Sequence, residues 1–128
     1  MIHIDTHVAV WLYAGDVGRF SDGARELIEA EDVAISPMAE LELTWLHEIG
    51  RIKEPGSVVV GDLRRRIGLT TDDGYFVDVV ALAAEFEFSF TRDPFDRMIA
   101  AQAKLAGVEL LTKDRALRDN LDFAVWPN

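Results

Sequence analysis

Short β-forming runs, each closed by a residue that favours a helix start, recur along this chain and leave it few ways to fold. Ile2-His3-Ile4 ends at Asp5, residues 33–36 run into Pro37, and residues 108–112 stop just ahead of Asp114. Helical spacing fills the intervals, over residues 7–13, 21–30, 37 to about 50, 57–67, 76–87, 94–106 and 115–120. Residues 69–71 and 123–126 read as two further short strands, with a turn at Asp72-Asp73-Gly74. Pro37 and Pro94 suit first helical turns, while Gly50 and Gly107 suit helix ends. Strands this short and apolar, alternating with helices, predict a mainly parallel sheet covered on both faces.

In such sheets ligands sit beyond the carboxyl ends of the strands, so acids that follow strands come first. Asp5 directly follows the first run, and Asp114 closely follows Leu110-Leu111-Thr112. In SPMAELELTWLHEIG, Met38, Trp45, Leu46 and Ile49 share one helical face and Glu42 falls within it, whereas Glu40 sides with Leu43, Thr44 and His47. A carboxylate inside an apolar stripe is costly unless it is paired, protonated or bound to a cation. In FTRDPFDRMIAA, Asp96 shares its side with Ile99, Ala100 and Ala103.

Each acid also has a plainer reading. Glu42 can sit at a solvated edge of its stripe. Asp93 can be an N-cap, Pro94 the first helical residue, and Asp96 an acid favoured by the helix dipole. Asp5 and Asp114 can cap the helices that follow them. Capping does not, however, require four such acids at the strand ends or inward faces of one small sheet.

Composition narrows the function classes. With 49% hydrophobic residues the chain is globular. No apolar run is long enough to span a bilayer, and MIHIDTHV lacks the basic region of a secretory signal; a soluble, cytoplasmic protein is the expectation. No cysteine is present, which excludes disulfides and thiolate zinc sites. His3, His7 and His47 lack the paired spacing of a zinc site. There is no Gly-x-Ser-x-Gly elbow and no Gly-x-x-x-x-Gly-Lys loop. The 23 acids against 13 bases give a formal charge of −10, which argues against a nucleic-acid ligand. Divalent cations in an acidic pocket reverse that local sign, however, and several bases are clustered: Arg64 to Arg66, Arg92 with Arg97, and Lys113, Arg115 and Arg118.

IDTHVAVWL, ISPMAELELTWLHEIGRI, FTRDPFDRMIAAQA and ELLTKDRAL together resemble, in order and over nearly the whole chain, the PIN-domain family, and most closely its VapC toxins. The resemblance implies one PIN domain over residues 1–128, an α/β/α sandwich around a mainly parallel sheet of four to five strands. It implies an acidic catalytic pocket of Asp5, Glu42, Asp93, Asp96 and Asp114, with Asp5 and Asp96 on the main metal and Thr6 and Thr112 as supporting polar groups. Oxygen ligands without Cys or His suit Mg²⁺ or Mn²⁺. The implied activity is Mg²⁺-dependent endoribonucleolytic cleavage by the toxin of a type II pair, with an RNA substrate, a cognate VapB-type antitoxin and a homodimer. Arg92, Arg97, Lys113 and Arg115 either hold substrate phosphates or pair with the acids. Two other readings stay open: a PIN-like regulatory protein that binds nucleic acid and cuts poorly, and a structural domain whose aspartates only cap helices.

Overall fold

The computed structural model describes residues 1–86 and 90–128. Its elements run β1 (Ile2–Ile4), α1 (Thr6–Ala14), α2 (Asp22–Ala30), β2 (Val33–Ile35), α3 (Pro37–Glu48), α4 (Gly56–Ile67), β3 (Thr70–Thr71), α5 (Phe76–Glu85), α6 (Pro94–Ala106), β4 (Glu109–Leu111), α7 (Arg115–Asn120) and β5 (Ala124–Val125). A 3-10 turn at Val17–Arg19, which periodicity does not reveal, joins α1 to α2.

The strands form one five-stranded sheet in the order β3-β2-β1-β4-β5, and every pairing is parallel. β1 is central, with Ile2 opposite Val33 on one side and Ile4 opposite Leu111 on the other. Successive strand residues face opposite ways, yet Ile2, His3 and Ile4 are all buried, as are Val33, Ala34 and Ile35. Both faces of the central sheet are therefore covered, as in an α/β/α sandwich. From β1 the chain first winds outward through β2 to β3, then returns to β4 on the other flank. That reversal opens a crevice at the carboxyl ends of β1 and β4.

The strands are shorter than the apolar runs because their flanking hydroxyls have other duties. Ser36 leaves the ladder to cap α3, its Oγ accepting from Met38 N at 3.1 Å. Beyond β4, Thr112 N still donates to Val125 O at 3.0 Å, but its hydroxyl turns to partners in the pocket described below. α3 ends at Glu48, with Ile49 as its cap, and Gly50 follows at φ 78°, so the glycine stands just past the helix end. α5 closes at Glu85; Glu87, the expected last residue of that helix, lies outside the described residues. α6 and α7 keep their expected bounds, and Gly107 ends α6 at φ 71°.

The buried face of α3 is rotated from the one its apolar spacing suggests. Ala39, Glu42, Leu43 and Leu46 are buried, whereas Trp45 and Ile49 are exposed. Leu43 thus belongs to the core rather than to a polar flank. Trp45 stacks on Phe95 of α6 at 6.0 Å, a contact that one helix's periodicity cannot report. α3 also packs close against α4, where a Cβ on Gly56 would collide with the Glu40 carbonyl oxygen and meet Thr44 Oγ1 at 2.8 Å.

Under the sheet, His3 is fully buried with Nε2 2.9 Å from Asp72 Oδ2. The contact is close in distance but poorly directed, and neither ring nitrogen makes a well-formed hydrogen bond. Burial lowers the His3 pKa against the opposing pull of Asp72. Among the described residues, no helix is long and apolar enough to cross a membrane.

Candidate active site

Asp5, Glu42, Asp93, Asp96 and Asp114 line one open pocket of about 310 Å³, together with His7, Val8, Trp11 and Lys113. Every acid singled out from the sequence is there. Three of them reach it as helix caps. Asp5 caps α1 by accepting from Thr6 N at 2.8 Å, Asp93 caps α6 by accepting from Phe95 N at 2.8 Å, and Asp114 caps α7 by accepting from Leu117 N at 3.0 Å. The cap reading and the pocket reading hold for the same residues. For Asp5 and Asp114 the cap fixes the carboxylate where the chain leaves the sheet, which is also where the crevice opens, whereas Asp93 is brought there at the start of α6.

The other two acids are carried on helix flanks. Glu42, on the buried face of α3, is only 7% exposed. Asp96, in the first turn of α6, stands above Ile99, Ala100 and Ala103, each at most 1% exposed.

A threonine hydroxyl donates to each of three carboxylates. Thr112 Oγ1 donates to Asp5 Oδ2 at 2.6 Å, Thr6 Oγ1 to Glu42 Oε1 at 2.5 Å, and Thr91 Oγ1 to Asp96 Oδ2 at 3.3 Å. Thr112 and Thr91 also accept backbone N–H groups, from Asp114 at 3.0 Å and Asp93 at 3.2 Å. Each therefore ties one acid to the loop that carries another. Thr91 escaped the sequence reading; its signal was a hydroxyl two residues before the Asp93 cap.

The electrostatics reflect the crowding. Burial raises the Asp5 pKa, opposed by the bonds from Thr112 and the Thr6 amide and by His7, with Asp114 adding to the rise. Burial also raises Glu42, opposed by Thr6 and His7 and reinforced by Asp5 and Asp93. Asp96 is pushed up to about 7 by burial first, then by Asp93, Asp5, Asp114 and Glu42. All four other acids thus act on Asp96, as expected for charges sharing one small volume.

The bases divide. Arg97 donates from Nε to Thr91 O at 3.2 Å and from a terminal nitrogen to Phe86 O at 3.0 Å, so it braces the backbone before α6. Arg92, Lys113 and Arg115 are exposed and, among the described residues, form no ion pair with the acids. The arginine triplet lies away from the pocket: Arg66 pairs with Asp62 and donates to Leu12 O and Tyr13 O, both at 3.1 Å. Trp11 is a pocket residue that sequence reasoning passed over, and His7 one that it weighed only as a zinc ligand; their spacing places both on one flank of α1 beyond Asp5.

A larger cavity of about 420 Å³ lies beside Val10, Tyr13, Ile52 and Val59, but its lining offers no comparable set of chemical groups. In the acidic pocket the five carboxylates offer oxygen donors, the preference of hard divalent cations, with His7 as the one imidazole beside them. No three described side chains already stand as a closed ligand set; the carboxylates are spread around the wall and repel one another. A pocket with these carboxylates and this mutual repulsion fits a divalent cation.

The comparisons with known proteins agree with this architecture. The PIN domain family model matches residues 2–120. Ribonuclease VapC22 of Mycobacterium tuberculosis (strain ATCC 25618 / H37Rv) is 35% identical over 123 residues, spanning 91% of this chain and 89% of that protein. A chain of a toxin–antitoxin complex from Klebsiella pneumoniae has the same fold, with a TM-score of 0.69 at 17% identity over 100% of this chain and 98% of its own. With a family model covering most of its length and a relative this similar, the chain belongs to the PIN domain family.

Proposed function

We propose that this chain is a Mg²⁺-dependent endoribonuclease, Mn²⁺ being an alternative metal, and the toxin of a type II pair held silent by a VapB-type antitoxin. The observation that carries the reading is the convergence of four carboxylates on Asp96 at the carboxyl ends of β1 and β4. Similarity to a named ribonuclease along most of both chains supports the choice of RNA.

Asp5 and Asp96 would hold the metal, with Glu42, Asp93 and Asp114 holding water against it or a second ion. A divalent cation there supplies a lowered pKa for the attacking water and offsets the charge that builds on phosphorus. Thr112 and Thr6 orient the Asp5 and Glu42 carboxylates through their hydroxyls, so neither acid is free to swing out of the pocket. Arg92, Lys113 and Arg115 at the exposed rim would hold RNA phosphates, each adding about one salt-dependent contact. Arg97 contributes by bracing the backbone that presents Asp93 and Asp96.

Homodimerisation belongs to the same proposal, supported by the exposed apolar side chains Leu41, Trp45 and Ile49 along α3. The antitoxin would close the acidic pocket with a basic side chain, and co-purification with the product of a neighbouring small gene tests that partner.

The decisive experiment for the activity is sequencing of RNA ends after expression of wild type and Asp5→Ala. New ends at defined positions with wild type alone support the nuclease. Identical end profiles from the two proteins overturn it, and tight Mn²⁺ binding without such ends would instead favour a regulatory nucleic-acid-binding protein.

A further inference from the structure

Trp11 belongs to two cavities at once. It lines the acidic pocket beside Asp5, His7 and Lys113, and it also lines a neighbouring cavity of about 240 Å³ that contains Phe20. Trp11 thus joins the wall of the acidic pocket to an aromatic cluster beside it. Trp11 stands edge-on to Phe20 at 6.2 Å and to Trp126 at 6.1 Å, and Phe20 stacks on Trp126 at 5.8 Å. All three rings are only half-buried, so they are not simply a core.

Two exposed cations cover the open faces. Lys113 Nζ lies 5.5 Å from the Trp11 ring centre and 5.4 Å from that of Trp126, and Arg19 Cζ lies 5.4 Å from Trp11. Lys113 also lines the acidic pocket, yet among the described residues it forms no ion pair with any acid there. In a chain of formal charge −10, cations laid over ring faces beside the acids run against the general sign. That juxtaposition of ring face and cation suits a nucleotide, whose base is flat and whose phosphate is anionic.

We propose that Trp11 and Trp126, with Lys113 between them, form the stacking subsite for one base of single-stranded RNA adjacent to the scissile phosphate. The proposal rests on the nuclease reading above and adds how that site grips its substrate. A cation over an exposed ring is worth about a two- to five-fold shift in equilibrium. A base stacked on the same ring is worth about five- to 150-fold. The base therefore takes the ring face, and Lys113 turns to a phosphate. Trp126 is held for this role by the tail beyond it: the Ser21 hydroxyl donates to the Pro127 carbonyl, and Gly23 N donates to Asn128 O at 3.0 Å. Paired RNA keeps its bases stacked on one another, so the subsite selects unpaired strands.

The test uses the full chain with Mg²⁺ and a single-stranded oligoribonucleotide made abasic at each position in turn. Cleavage is compared for wild type, Trp126→Leu and Trp126→Phe. The abasic change at one position next to the cut is expected to lower kcat/KM by about five- to 150-fold. Trp126→Leu should lose as much on intact RNA, the two losses should not add, and Trp126→Phe should retain most of the activity. Neutral abasic changes throughout, or fully additive losses, overturn the subsite.

Binding of the same oligomers to Asp5→Asn, with and without Trp126→Leu, separates this proposal from the one beneath it. If wild type cuts no RNA but Asp5→Asn binding depends on one base and on Trp126, the nuclease reading fails and the subsite stands. If wild type cuts and binding ignores both, the subsite alone fails. Trp126→Leu that leaves every RNA readout intact and abolishes association with a protein partner also overturns it.

Discussion

Thr112 Oγ1 donates to Asp5 Oδ2 at 2.6 Å while accepting from Asp114 N at 3.0 Å, so one hydroxyl fastens the end of β1 to the loop beyond β4. Thr112→Val keeps the shape and removes both bonds, leaving a buried carboxylate and an amide with one partner fewer. The expected cost is about 1–3 kcal/mol in chemical denaturation, with cleavage lowered about 10- to 100-fold. Thr112→Ser should restore most of both. A valine variant with wild-type activity would show that Asp5 needs no such tether.

Asp96 gives the pH prediction its sign. Its carboxyl holds a proton up to about pH 7 in the folded chain against an ordinary value of 3.8. Between those values the folded state binds the extra proton, so this group's contribution is complete below the lower value and is lost as pH rises through the upper one. Asp5 and Glu42, also raised, act in the same direction. His3 opposes them: its folded pKa is lowered, so its protonation in the unfolded chain removes stability as pH falls below 6.5. Without divalent metal, wild-type Tm should fall relative to that of Asp96→Asn as pH rises from about 4 to 7. Two parallel Tm profiles would contradict the shift. Mn²⁺ at neutral pH should raise Tm in wild type and much less in Asp96→Asn, which should also cleave at least ~100-fold more slowly.

Asp93 has two roles that separate cleanly by substitution. Asparagine caps as well as aspartate does, so Asp93→Asn should change stability by less than about 0.5 kcal/mol, whereas Asp93→Ala should lose about 1 kcal/mol. Both remove the largest charge acting on Asp96, so the Asp96 pKa should fall in each. Titration of the Asp96 carboxyl by NMR, set beside denaturation curves, checks both halves.

Gly56→Ala should destabilise the chain by about 1–3 kcal/mol, because its new methyl meets the Glu40 carbonyl of the α3 backbone, which cannot turn aside, as well as the Thr44 hydroxyl. The collision is with Glu40 and Thr44, which flank Glu42, so cleavage should fall beyond the loss in folded fraction. Activity measured per folded molecule makes the distinction.

Much of this architecture was legible because it is written locally. Pro37, Pro94, Gly50 and Gly107 mark helix ends through backbone geometry that each residue carries with it. Asp5 and Asp114 could be ranked because strand ends are where such sheets open, and Asp93 stood out as the cap before Pro94. The rest depends on contacts between distant residues. The facing of α3 is set partly by Trp45 meeting Phe95, and the support of Asp96 by Thr91. The pocket wall formed by His7 and Trp11 appears only when α1 lies beside the loop before α7. The 3-10 turn at Val17–Arg19 has no periodicity to read.

The central position of β1 has a consequence for biosynthesis. The strand made first waits for β4, residues 109–111, before its second flank is filled. A nascent chain that has reached Leu105 already contains Asp5, Glu42, Asp93 and Asp96, yet lacks the strand, the Thr112 hydroxyl and the fifth acid that complete the crevice. Such a ribosome-bound chain carries the acids without their enclosure. The proposed nuclease activity would stay disarmed beside the translation machinery until synthesis has passed Asp114.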